Sequence, residues 1–512
     1  MTGQTADFFR ARIDAMIDLR YPLAVLGTCL PWAQIETALT PLLQKAAREH
    51  EMPDGIDLFG PSVGKVVAVG VSPAGRPRLP IRLMCSLLYL KHAFNLSDEQ
   101  LCERWAENVI WQYFSGMDYY ETRLPCDATQ IGRFRTDIGE LGMEIILKAT
   151  IDTAVATKAI KPAEFERVIV DTTVQEKAIA YPVDARLLEI ARHKIVKAAK
   201  GCGIALRQTF AKEGKMLRFK SGGYAHAKQF KRLKRTLKRQ RTIVGILIRE
   251  VRAKMGATAT VTAAPTNNSQ TAARPISATA DARLTTILER AERIRTQRQK
   301  DKNKLYALHA PEVECISKGK ARNRYEFGVK VSLAVTHKQG LMVGAKRFTG
   351  NPFDGHTLKA QLAQCNELTK DVGRPVKQAF VDLGYRGVDK DNPGIEVVHR
   401  GRIKSMSMAE KKLLKRRQAI EPAIGHTKHD NRMIRCYLQG TVGDALHAIS
   451  CAAGYNIRWL MRAIMRLGLK GLFALVCIAA ARFALWHRPT TTPRTPHRRD
   501  HARLHANFAR CI

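Results

Sequence analysis

The sequence predicts an α/β protein: a mixed-sheet core, a long helical insertion within it and an all-α domain before it. Three observations carry that expectation. Short β-branched or aromatic runs close on aspartate at Val168-Ile169-Val170-Asp171 and at Ala379-Phe380-Val381-Asp382. Apolar residues recur at helical spacing before residue 160 and again between 190 and 310. The stretch separating the two aspartates is too long and too basic to be a sheet connection, so a separate module must fill it.

Taken in order, residues 1–75 read as an N-terminal helical segment and 76–160 as a helical, helix-turn-helix-like DNA-binding domain. Leu83, Leu87, Leu88 and Leu90 give a helix over 82–93, which Asn95-Leu96-Ser97 ends. Ser97 with Gln100 has the form of a capping box opening a second helix through Trp105, and a third starts near Asp127. Three such helices suit a DNA reader or a plain bundle equally well.

The core occupies 161–189 and 311–466. Its strands are expected at 168–172, 325–336, 341–348, 378–382 and 395–399, with His337-Lys338-Gln339-Gly340 turning a hairpin. A helix is expected over 357–371 and another around Glu421, where Pro422 removes a backbone donor and should kink it. A buried strand closing on aspartate delivers its carboxylate at the carboxyl end, where open α/β sheets place their sites. With the insertion set aside, this is the chain order of an RNase H-like fold.

The insertion spans 190–310, with a low-complexity linker at 255–280. Between 190 and 254 there are 20 Lys+Arg against two acids, Glu213 and Glu250. Two amphipathic helices around the linker suggest an antiparallel hairpin or a dimerising coiled coil. The chain as a whole carries 85 Lys+Arg against 46 Asp+Glu, a net charge of +39, which suits a polyanionic partner. Lys231, Arg232, Lys234, Arg235, Lys238 and Arg239 are the candidate phosphate contacts within the insertion.

Other classes are disfavoured. Eleven cysteines without a Cys-x-x-Cys pair argue against a zinc site and a disulfide framework, and for a reducing cytoplasm. The longest apolar stretch, 472–481, is about half of a bilayer span, and no secretory signal opens the chain. Residues 467–512 read as a basic tail.

Asp171, Asp382 and Glu421 are the candidate catalytic and metal-ligating residues. Two strand-borne aspartates and a helical glutamate form an oxygen-donor set suited to Mg²⁺ or Mn²⁺. Two such ions, one on each side of a phosphodiester, support in-line displacement. Arg417 and Lys428 share the helical face of Glu421 and would meet phosphates, as would Tyr385 and Arg386 in the Gly-Tyr-Arg-Gly turn after Asp382. His356 lies in the tight loop Gly350-Asn351-Pro352-Phe353-Asp354-Gly355-His356 and is a further candidate.

These frames resemble those of bacterial insertion-sequence DDE transposases, the group named after insertion sequence five. The matching stretches are Val170-Asp171-Thr172-Thr173 with Tyr181-Pro182-x-Asp184-Ala185-Arg186-Leu187, and Gly350-Asn351-Pro352-Phe353-Asp354-Gly355-His356. They continue with Val381-Asp382-x-Gly384-Tyr385-Arg386-Gly387 and Arg416-Arg417-x₃-Glu421-Pro422-x₂-Gly425-His426-x-Lys428. Leu414 stands where the family pattern has tyrosine. The resemblance covers about 76–462. It implies an RNase H-like core, two Mg²⁺ or Mn²⁺ ions per site, and cleavage and strand transfer at terminal inverted repeats into target DNA. It also implies a dimeric or larger synaptic complex, cytoplasmic and nucleoid-associated, without a membrane. The alternatives are an inactive transposase-derived DNA-binding protein and an RNase H-like nuclease.

Overall fold

The computed structural model of the chain describes residues 11–43, 78–261, 278–317 and 324–468. Of the expected linker 255–280, residues 262–277 lie outside them, whereas 255–261 and 278–280 are helical; the basic tail expected at 467–512 lies outside them beyond 468. The chain divides into two units, 1–463 and 464–512, and the second is described only as far as 468.

Among the described residues seven α-helices precede the sheet: α1 (Ile13–Met16), α2 (Pro22–Cys29), α3 (Trp32–Leu43), α4 (Ile81–Ala93), α5 (Asp98–Glu107), α6 (Val109–Phe114) and α7 (Ala128–Ala156). Their core gathers Trp32, Tyr89 and Phe114 edge to face, with centroids 5.4–6.5 Å apart. Ser97 caps α5 through the expected box: its hydroxyl accepts from Gln100 N at 3.1 Å, and the Gln100 side chain accepts from Ser97 N. Asp127 caps α7, which breaks at Gly139, where φ is +62°. As a DNA-reading helix α5 is poorly charged. It carries Asp98, Glu99, Glu103 and Glu107 against Arg104, and Asp98 is held by Lys91 at 2.6 Å and Arg135 at 3.2 Å. A helix meant for the major groove needs the opposite sign.

The sheet follows with β1 (Arg167–Glu176), then helices α8 (Asp184–Gly201), α9 (Ala211–His226), α10 (Phe230–Val261) and α11 (Ala278–Thr296). It resumes with β2 (Glu314–Ser317), β3 (Tyr325–Thr336) and β4 (Met342–Phe348), and after α12 (Asp354–Leu368) ends with β5 (Gln378–Phe380) and β6 (Glu396–Val398). The chain then forms α13 (Met408–Lys415), α14 (Ile420–His429) and α15 (Gly440–Leu467). In space β4, β3, β1, β5 and β6 lie side by side, with the short β2 also on β3. The pairs on the β3 side are antiparallel; β1–β5 and β5–β6 are parallel. Almost every residue of β1 and β3 is buried, as a central strand covered on both faces must be.

Where β1 and β3 cross, β3 carries Gly328. A Cβ there would lie 2.0 Å from the Gln175 carbonyl oxygen, a backbone atom that cannot step aside. Gly328→Ala should therefore cost about 1–3 kcal/mol, measured as a lower midpoint in urea unfolding.

The insertion is more than a hairpin. Helices α8 to α11 share one core that includes Leu188, Ile195, Leu247, Val251, Leu288 and Ile294. The apolar stripes expected to seek a partner are thus covered within the chain, which removes the reason for a dimerising coiled coil. The module also begins at Asp184 rather than 190, because Leu187 and Leu188 belong to its core. Gln240, which interrupts the stripe, is buried and donates to the Ala185 carbonyl at 3.2 Å. No helix among the described residues is long and apolar enough to cross a membrane.

Candidate active site

The parallel register decides where the two aspartates meet. Val168 pairs with Ala379 and Ile169 with Phe380, where the paired register ends; continued by two residues it would bring Asp171 level with Asp382. Val381 N still bonds Val398 O at 3.0 Å, so the chain remains extended to that point. Level residues of neighbouring parallel strands project to the same face, their backbones about 4.8 Å apart. Asp171 is therefore not at the carboxyl end of its own strand, as the sequence suggested. β1 runs on to Glu176 because Thr172, Thr173 and Val174 pair with β3, and it is β5 that stops beside the site.

Each carboxylate is oriented locally. The Asp171 Oδ1 accepts from the Thr172 amide at 2.7 Å. Asp382 caps a 3₁₀ turn over 383–385, accepting from Gly384 N at 2.9 Å. Glu421 stands in the first turn of α14 with its side chain 66 % exposed. Arg417 joins the ends of the arrangement: its guanidinium lies 3.8 Å from Asp171 Oδ2 and 3.7 Å from Glu421 Oε1, and is only 12 % exposed. One fixed cation thus faces carboxylates from the sheet and from the helix.

The segment before Glu421 is docked onto the sheet's hairpin turn. Arg416 Nε donates to the His337 carbonyl at 2.8 Å and its other end to the Lys338 carbonyl. His337 Nε2 meets the Leu413 carbonyl at 2.9 Å, which requires that nitrogen to carry the proton. The break in this helix comes before Pro422, not at it. Residues 416–419 form a 3₁₀ turn, and Pro422 falls in the first turn of α14, where a missing N–H is tolerated.

Three residues that sequence reasoning missed complete the surroundings. Asp354, at the start of α12, accepts from Thr172 Oγ1 at 2.8 Å and from Lys330 Nζ at 2.9 Å. Lys330 is buried in mid-β3 and also donates to the Pro352 carbonyl at 2.6 Å. Asp354 lies near Asp382: a Cβ on Gly384 would sit 3.0 Å from Asp382 Oδ1 and 3.3 Å from Asp354 Oδ2. The available signal was a solitary lysine in the apolar run Val329-Lys330-Val331, since a buried ammonium requires an acid.

Tyr385 corrects an expectation. Its side chain is fully buried, so it is not presented to DNA. Burial raises its phenol well above the usual value, and the nearby charges of Asp171, Asp354 and Asp382 push it the same way. Arg386 and His356 are exposed and Lys428 is half-buried. His356 stacks edge-on to Phe353 at 5.7 Å. In the insertion Lys231, Arg232, Lys234, Arg235 and Lys238 line the exposed side of α10. Arg239 differs, since both arms of its fork are taken by Glu213 at 2.6 and 3.0 Å.

As a metal centre, Asp171, Asp382 and Glu421 offer oxygen donors only, the chemistry that magnesium and manganese select. Their oxygens do not all lie within 4.8 Å of one another, and Arg417 fills part of the space between Asp171 and Glu421. The donor set fits such an ion in kind, with the exposed Glu421 side chain as the arm free to move.

Comparison with known proteins adds a family. Residues 57–137 match the family described as Transposase domain (DUF772), whose described part here runs from α4 into α7. The chain is 38 % identical over 224 residues to "Uncharacterized protein ORF8 in nfe locus" of Rhizobium meliloti, covering 44 % of this chain and 95 % of that protein. The chain belongs to the family of that protein. With the matched domain, this makes it a transposase-related protein. No solved structure matches.

Proposed function

We propose that this transposase-related protein is a DDE transposase that cleaves DNA at the ends of its element and joins them to target DNA, using Asp171, Asp382 and Glu421. The observation that supports this reading is the Arg417 guanidinium shared by Asp171 and Glu421, beside a parallel register that leads both strands towards their aspartates. The strand order β4-β3-β1-β5-β6, with β3 antiparallel beside the first strand, supports an RNase H-like core.

Mg²⁺ or Mn²⁺ held by these three carboxylates would neutralise charge on a phosphodiester and activate the attacking hydroxyl or water. The chain's own residues do the rest. Arg417 keeps Asp171 and Glu421 facing one another while the site is empty of DNA. Lys330 and Thr172 hold the Asp354 carboxyl in place near Asp382. Arg386, exposed, and Lys428, half-buried, are the candidate phosphate-binding cations. The exposed lysines and arginines of α10 give a second, sequence-independent contact with the DNA backbone.

The test for that second contact is salt dependence. Replacing Lys231, Arg232, Lys234, Arg235 and Lys238 with alanine should flatten the plot of log affinity against log salt by about 0.9 for each cation that meets a phosphate. An unchanged slope would remove the insertion from the DNA interface. The catalytic assignment is tested by nicking of a DNA substrate bearing the element end, developed in the Discussion. Cleavage of unrelated DNA or RNA without strand transfer would point to a nuclease, and DNA binding without metal-dependent cleavage to an inactive relative.

A further inference from the structure

Away from the carboxylates, α4 and α15 cross at a buried group of three side chains. His92 ends α4, while His447 and Cys451 sit four residues apart on one face of α15. Their potential ligand atoms all lie within 4.8 Å of one another, and among the described residues no other group of three His, Cys, Asp or Glu does so. All three side chains are buried, the most open being His447 at 4 %. The helices approach closely enough because α15 carries Gly454 at the crossing; a Cβ there would lie 2.5 Å from the His92 backbone.

The hydrogen bonds prepare these atoms as donors. His447 Nε2 lies 3.0 Å from the Arg432 carbonyl, so that nitrogen carries the proton and Nδ1 keeps a lone pair. A backbone carbonyl fixing the far nitrogen is the usual outer support of a metal-bound imidazole. His92 Nδ1 lies 3.5 Å from Cys451 Sγ. In a tetrahedral zinc site, bonds of about 2.1 Å to nitrogen and 2.3 Å to sulfur place the two donors about 3.6 Å apart. Burial, followed by nearby cations, holds both imidazoles in the neutral, ligating form, with His447 lowered to about 3. The cations are Lys91 from α4, Arg135 from α7 and Arg432 from the loop before α15; Asp98 offsets the first two through its ion pairs.

We propose that His92, His447 and Cys451 form a structural zinc site that staples α4, within the matched transposase domain, to α15. On binding, the Cys451 thiol loses its proton to solvent, a sulfur–zinc bond replaces the sulfur–hydrogen bond, and the fourth position is left to a small ligand such as water. Neither the oxygen-donor site nor its reading is involved.

The full chain, stripped with a chelator and dialysed, is titrated with Zn²⁺ and separately with Co²⁺. One zinc should bind per chain, and cobalt should give the intense visible bands of tetrahedral coordination with a thiolate charge-transfer band in the near ultraviolet. Cys451→Ser should remove the thiolate band and His447→Ala should weaken stoichiometric binding. Wild-type protein that binds no stoichiometric zinc and gives no thiolate–cobalt band overturns the proposal, whatever the variants do. A thiolate band that survives in Cys451→Ser overturns it as well.

Discussion

Asp171→Asn and Asp382→Asn should each lower Mg²⁺-dependent nicking of an element-end DNA by three orders of magnitude or more, with DNA binding and the unfolding midpoint nearly unchanged. Asparagine keeps the shape of each side chain, so the Thr172 and Gly384 amides retain an acceptor. What disappears is the negative charge that a divalent ion needs, at two positions just beyond the paired part of β1 and β5. A loss of about 4 kcal/mol of transition-state stabilisation corresponds to roughly a thousandfold in rate. Glu421→Gln should behave alike, because its exposed side chain contributes little to folding. Full nicking activity in any of the three variants would remove that residue from the site. Arg417→Ala is the informative companion: it frees both carboxylates of their internal cation. It should therefore raise affinity for the metal alone while weakening DNA binding. Metal titration separates that outcome from simple unfolding.

The second large effect concerns stability. Lys177, just past β1, is buried between Glu312 at 2.8 Å and Asp444 at 2.7 Å, and both acids are themselves buried. Around them Ala178 N bonds Cys436 O, Cys436 N bonds Glu176 O and Gly440 N bonds Glu312 Oε1, so the triad fastens the end of β1 to the start of α15. Lys177→Met leaves two buried carboxylates without their cation and should cost about 3–5 kcal/mol, read by denaturant unfolding at neutral pH. Adding Glu312→Gln and Asp444→Asn should recover much of that loss, since the exposed cost is unpaired charge rather than missing packing.

The pH dependence of this triad has a definite sign. Burial pushes Lys177 down, but the hydrogen bonds from Asp444 and Glu312 outweigh it and hold the ammonium above its usual range. Its contribution is complete below the ordinary lysine value and fades as pH climbs through the raised one. For Glu312, burial pushes up and is outweighed by the Lys177 and backbone hydrogen bonds, leaving it lowered. That part of the stability is present above the ordinary glutamate value and lost as pH falls. Asp444 is raised, burial prevailing over Lys177, so it works against folding at neutral pH and is relieved on acidification. In Lys177→Met both acids lose their partner, and the variant should gain stability relative to wild type as pH falls towards 5. A constant difference between pH 8 and 5 would contradict this account.

Much of the architecture was readable because it depends on local pattern. The Ser97–Gln100 box, the hairpin over 325–348 and the helix after Asp354 all follow from capping chemistry, alternation and turn residues. The three carboxylates were picked out by their frames alone, and the family comparison supports the transposase relationship on other residues, 57–137. Local pattern failed where a contact partner lies far along the chain. Nothing near Asp354 announces Lys330 or Thr172, and nothing near Tyr385 says that its ring is buried. The absence of Cys-x-x-Cys spacing suggested no zinc, yet His92 meets His447 and Cys451 across more than three hundred residues.

By itself, then, the chain determined five of the six described strands and several of the helices, that its insertion is basic, and which carboxylates are the candidates. Each of those rests on interactions within a few residues, or on summed charge. Only the tertiary structure decided that β1 pairs in parallel with β5, that Arg417 lies between two acids, and that the apolar stripes of the insertion cover one another. Those depend on strand register and helix packing, which arise from hydrogen bonds and buried surfaces shared by distant residues.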